Sequence, residues 1–155
     1  MRRLRRVLRG TDPDLPYGEV LHPLALLAVV VLVVNDWVLK RVMPGALTGK
    51  LSDIAGLVFA PLALSSLVGL VTRRRPSRAR ILACITAVGG VFGATKLFPA
   101  VAHAVASVGF HAHIVADPTD LFCLPALAVA YWISASDARA AASPARGPDR
   151  PSPRS

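Results

Sequence analysis

The sequence predicts an all-α membrane fold, a four-transmembrane-helix bundle with a short interfacial helix at its outer face. Three observations predict it. Of the 155 residues, 54% are hydrophobic and 17% are charged, against roughly a quarter charged in a soluble domain. The charges are segregated, with none between Glu19 and Asp36, Asp53 and Arg73, Arg80 and Lys96, or Asp120 and Asp137. These stretches lack both the polar face of a soluble amphipathic helix and the alternation of outer-membrane strands. A soluble globular enzyme, a disordered chain and a nucleic-acid module are excluded on these grounds, and the length limits the chain to one domain.

Residues 1–20 form a basic, proline-containing arm in which Tyr17 occupies the place of an interfacial aromatic. Span one covers residues 21–39, with VVVLVV at its centre. It is too long for a signal-peptide core and no A-x-A site follows it, so it is retained. Span two covers 51–72 and contains Pro61, span three covers 81–98, and span four covers 118–135. Each is close to the roughly 20 residues that cross the hydrocarbon. Residues 97–116 are also uncharged, with Pro99, His103, His111 and His113. A fifth span there would place the last arginine block outside, so the segment is read as an interfacial or re-entrant helix. Residues 136–155 are mostly Ala, Ser, Pro and Arg and predict a disordered tail.

The net charge of +9 resides in three blocks, Arg2–Arg9, Arg73–Arg80 and Arg139–Arg154, which hold every arginine except Arg41. Four spans put all three blocks on one side, the cytoplasm, with both termini there. This pattern favours the lipid bilayer as partner over nucleic acid. Cys84 and Cys123 fall near opposite faces, too far apart to bridge. Gly89-x-x-x-Gly93 and Gly56-x-x-x-Ala60 have the spacing that lets helices approach closely, which would suit a homo-oligomer formed through span three.

Polar residues gather at the outer helix ends. Span one ends in Asn35, Asp36 and Lys40, and span two begins with Lys50 and Asp53. Span three ends in Lys96, and span four begins with Asp117 and Asp120. All three lysines of the chain lie here, although arginine outnumbers lysine 15 to 3. Lysine differs from arginine in being a compact point charge with a movable pKa. Ordinary roles account for part of the cluster. Asp36 and Lys40 have i,i+4 spacing. Asp117-Pro118-Thr119-Asp120 reads as an N-cap, a first-turn proline and a first-turn acid. Asp53 is harder to reduce to a cap. With Thr48 as N-cap it lies beyond the capping positions, and Lys40, Lys50 and Lys96 are its candidate partners; with Ser52 as cap, the ordinary reading returns. Intramembrane charges face the bundle interior and find partners. Ser52-Asp53-Ile54 also echoes Thr119-Asp120-Leu121, as two related helical hairpins would.

Other motifs lead nowhere. Gly45-Ala-Leu-Thr-Gly-Lys50-Leu51 has three residues between its glycines and no following Ser or Thr, so it is not a phosphate loop. His111-x-His113 with Asp117 falls short of a metal site, and no cofactor is expected. Ser65 and Ser66 have no base in sight.

The strings NDWVLK, LTGKLSDIAGL and ADPTDLFCLPAL resemble those of a family of small four-span bacterial inner-membrane proteins marked by NDxxLK, LTGKLSDxAGL and DPTDL. The likeness covers roughly residues 20–135 and implies four spans in the plasma membrane but no particular activity. A looser likeness to VanZ-like proteins does not extend residue by residue, so no site is carried over. Three functions fit. The cluster binds an ion or an anionic lipid head group; or it serves an outer-face enzyme acting on a lipid-linked or envelope substrate, which needs convergent acids; or it braces a structural or assembly subunit.

Overall fold

The computed structural model describes residues 18–43, 45–74, 77–107 and 116–142. Among them it is all-helical. A 3-10 turn at Gly18–Leu21 precedes α1 (Pro23–Val42), α2 (Ala46–Thr72), α3 (Arg78–Leu97) and α4 (Pro99–Ser107). A second 3-10 turn, Pro118–Cys123, leads into α5 (Ala126–Ala142). Four segments are long and apolar enough to cross a membrane: α1, α2, α3 and the run Pro118–Ser136. The nine residues of α4 span roughly 14 Å at helical rise, well short of a crossing.

Local chemistry sets the helix ends. His22 caps α1, its Nδ1 accepting the Leu24 N–H, and Pro23 occupies the first turn, where its missing N–H is harmless. α2 starts at Ala46, five residues before the apolar run suggests. Thr48 is therefore not the N-cap. It sits three residues beyond Gly45, and its hydroxyl accepts the Gly45 N–H, as the return bond of a capping box does. α2 ends on Arg73, in the left-handed region at φ 52°, with the Arg74 N–H bonded to the Gly69 carbonyl. Ser77 caps α3 through the Arg80 N–H. Phe98, extended ahead of Pro99, breaks α3 from α4.

α2 is the central helix and packs on α1, α3 and α5. The core is built of small side chains at the crossings: Ala25 and Ala28 of α1, Ala55 of α2 and Ala130 of α5, with Leu62, Ile81 and Ile133 beside them. Small residues let helix backbones come close where lipid supplies no hydrophobic drive. Leu26, Leu27, Val30, Val33, Leu67 and Leu70 face outward, an apolar belt far larger than a soluble surface carries.

Two further features bear on the sequence reading. Gly89 and Gly93 are used inside the chain: a Cβ at Gly89 would lie 2.8 Å from Leu127 Cδ1, and one at Gly93 3.9 Å from Leu121 Cδ2. Their stripe seats α5 and its leading turn. And α5 continues to Ala142, through residues that composition assigns to a disordered tail; alanine and arginine are strong helix formers. The arm to Tyr17, the remainder of the tail, and His111 and His113 lie outside the described residues.

Candidate functional site

The start of α2, the end of α3 and the turn Pro118–Cys123 meet at one end of the bundle. There Lys50 Nζ lies 2.6 Å from Asp120 Oδ1, Lys96 Nζ lies 2.6 Å from Asp120 Oδ2, and the same Nζ lies 2.9 Å from Asp53 Oδ2. The four groups form a chain, Lys50–Asp120–Lys96–Asp53, of two cations and two anions. Burial is graded along it. The central Lys96 and Asp120 side chains are 11% and 12% exposed, whereas Lys50 and Asp53 at the ends are 33% and 21% exposed.

Lys96 reaches this position because α3 carries it inward on its last turn, where a cation also suits the helix dipole. Its Nζ lies 5.4 Å above the centre of the Phe92 ring, one turn earlier. Asp120 is held by the 3-10 turn, which Asp117 caps by accepting the Thr119 N–H at 2.9 Å. That bond holds the Asp117 carboxyl below the usual carboxylate range. Asp117 is thus the predicted cap. Asp120 is more than the predicted first-turn acid: it joins both lysines. Lys50 also donates to Thr119 Oγ1 at 2.8 Å, and Cys123 Sγ donates to the Lys50 carbonyl at 3.8 Å, fastening the turn to α2.

Asp53 lies seven residues beyond Ala46, so neither Thr48 nor Ser52 turns it into a capping group. Lys96 is its cationic partner. Asp53 Oδ2 is buried and held by charge, without a well-aligned hydrogen bond.

The remaining predicted residues stand apart from this chain. Asp36 and Lys40 pair with each other at 2.6 Å, both nearly half exposed, and Ser52 donates to Asp36 at 3.2 Å. Asn35 is fully buried and donates to the Thr48 carbonyl at 2.7 Å. It opens a π-helical stretch, Asn35–Leu39, that widens α1 by one residue per turn and turns Asn35 inward. Its role is to tie α1 to the first turn of α2. Asp53 and Asp120 therefore converge, over Lys96, while Asp36 does not join them. Thr119 and Phe92 are contacts that sequence reasoning did not single out, since no spacing announces them.

A groove of about 430 Å³ runs between α2 and α3 away from Asp53, with Val105 of α4 also on its wall. Gly56 lines it, and a Cβ there would meet nothing within 4 Å. Among the described residues no group of three or more His, Cys, Asp or Glu is arranged to hold a metal ion, and both cysteines are free and buried. No family model matches the chain, and neither curated proteins nor solved structures give a significant match.

Proposed function

We propose that this multi-pass membrane protein sits in a bacterial plasma membrane with both termini in the cytoplasm, and that its ion-pair chain is a binding centre for an ion or lipid head group in the outer leaflet. One observation carries the reading: Asp53 is at once the last member of the charge chain and part of the wall of the lipid-accessible groove. Ionisable side chains at membrane depth mark ligand or ion sites by default, because they are expensive to keep there. The arginine blocks support the orientation. Each lysine of the chain already faces a carboxylate, so ligands that engage a carboxylate are favoured over the anionic head groups that the lysines alone suggest.

A second reading rests on the charge balance. Two lysines and two aspartates neutralise each other, as a purely structural clasp would. The test is the melting temperature of the full chain in nanodiscs against a panel of Na⁺, K⁺, Mg²⁺, Ca²⁺, phosphatidylglycerol, phosphatidylethanolamine and diacylglycerol. The binding reading expects a saturable rise with at least one of them, lost in Asp53→Asn. No rise with any of them leaves the clasp.

A further inference from the structure

The groove beside Asp53 has walls of two kinds. Its length is hydrocarbon: Leu57, Ala60 and Leu64 from α2 face Ala87, Val88 and Val91 from α3. Its polar groups are confined to one end, and they are Ser52, Asp53 and Thr95. Their hydrogen-bond inventory is one-sided. Asp53 is a carboxylate and accepts only. The Ser52 hydroxyl spends its proton on Asp36, and the Thr95 hydroxyl spends its proton on the Phe92 carbonyl. All three therefore offer lone pairs and none offers a donor, so an occupant must bring its own. The volume falls within the roughly 300–1,000 Å³ of small-molecule sites.

Charge narrows the choice of head. The chain Lys50–Asp120–Lys96–Asp53 is already neutral. An ammonium head would put a second cation against Lys96, and a carboxylate or phosphate would put an anion against Asp53. In a low-dielectric site either imbalance is heavily penalised. A hydroxyl supplies the missing donor and adds no charge.

We infer that the groove holds the hydrocarbon tail of a hydroxyl-headed lipid, an uncharged long-chain alcohol whose O–H donates to Asp53. This rests on the ion-pair chain being a binding centre and specifies its ligand class. Gly56 and Ala60 keep the channel open where larger side chains would fill it.

The test uses the full chain in phosphatidylcholine nanodiscs and a hexadecanol carrying a photoreactive diazirine in its tail. Labelling of α2 and α3 should saturate. Unlabelled hexadecanol should compete about tenfold better than hexadecylamine or palmitate, a difference of about 1.4 kcal/mol. Gly56→Leu, which fills the groove without touching the ion pairs, should abolish saturable labelling, and Asp53→Asn should weaken it. Ala60→Leu fills the same wall if Gly56→Leu does not fold. Labelling that never saturates and ignores Gly56→Leu means bulk lipid only and overturns the inference. Equal or better competition by the amine or the acid overturns the hydroxyl assignment but leaves the binding reading standing.

Discussion

At the Lys96 end of the bundle, buried charges answer one another across α2, α3 and the Pro118–Cys123 turn. At the opposite end, where the chain enters α1 and leaves α2, two charged side chains engage hydroxyls and a carbonyl. Glu19, 1% exposed, accepts the Ser134 hydroxyl at 2.6 Å. Arg80 donates to Ser65 Oγ at 3.1 Å and to the Arg74 carbonyl at 2.9 Å. The first arrangement is a closed set in which every member neutralises a neighbour, so losing Lys96 or Asp120 strands an end member. In the second, the Glu19–Ser134 contact joins a charge to a dipole. The groove between α2 and α3 adjoins the closed set.

The widest separation between the two ends should come from Lys96→Met. It leaves Asp53 without a cation and Asp120 with Lys50 alone, and stability should fall by roughly 3–5 kcal/mol. Unfolding titrations in mixed micelles measure this. Adding Asp53→Asn to Lys96→Met removes the stranded anion and should recover about half the loss; no recovery would mean that the two groups are not coupled.

Ser134→Ala probes the other end. It takes from Glu19 a hydrogen bond to a charged group, worth about 1.5–3 kcal/mol, and the same titration should find a smaller loss than for Lys96→Met. An equal or larger loss would erase the contrast.

A pH effect should also belong to the Glu19 end. Burial lowers the His22 pKa from 6.5, and the neutral ring's Nδ1 is what accepts the Leu24 N–H. For a base with a depressed folded pKa, the unfolded chain binds the proton first. The stability contribution is therefore complete above pH 6.5 and declines as the pH falls from there through the lower folded pKa. Melting temperatures between pH 7.5 and 5 should drop modestly, and His22→Asn, which keeps an N-cap acceptor, should flatten the slope.

The smallest effect should come from Lys40→Gln. Its pair with Asp36 is exposed and within one helix, so the change should stay within about 0.5 kcal/mol.

The sequence made four crossings legible because segregated charge and apolar length are one-dimensional signals. Asp53 could be singled out as more than a cap for the same reason: its distance from the helix start is counted along the chain. The Asp36–Lys40 pair was legible in its i,i+4 spacing, but which lysine would meet Asp53 or Asp120 was not. Asp36 and Asp53 lie at similar depths in the string, yet one stays within α1 and the other joins the charge chain through Lys96. What separates them is azimuth, which the π-helical stretch at Asn35–Leu39 alters by a residue that no composition rule anticipates. Gly89 and Gly93 announced a close approach but not its partner, Leu127 and Leu121 of the same chain. Glu19 belongs to a charged arm in sequence, and nothing links it to Ser134, 115 residues away. The groove is a volume left unfilled, and sequence periodicity carries no record of empty space.

The 27 residues of α2 extend roughly 40 Å at helical rise, about 10 Å beyond a typical 30 Å hydrocarbon slab. This helix must lean or protrude, and the angle it takes is set by the thickness of the surrounding lipid. Because Lys50 and Asp53 ride on its first turns, a thicker bilayer draws them down among acyl chains and a thinner one lifts them toward water. Lipid composition thereby acts as a dial on how strongly Lys50 holds Asp120 and Asp53 holds Lys96.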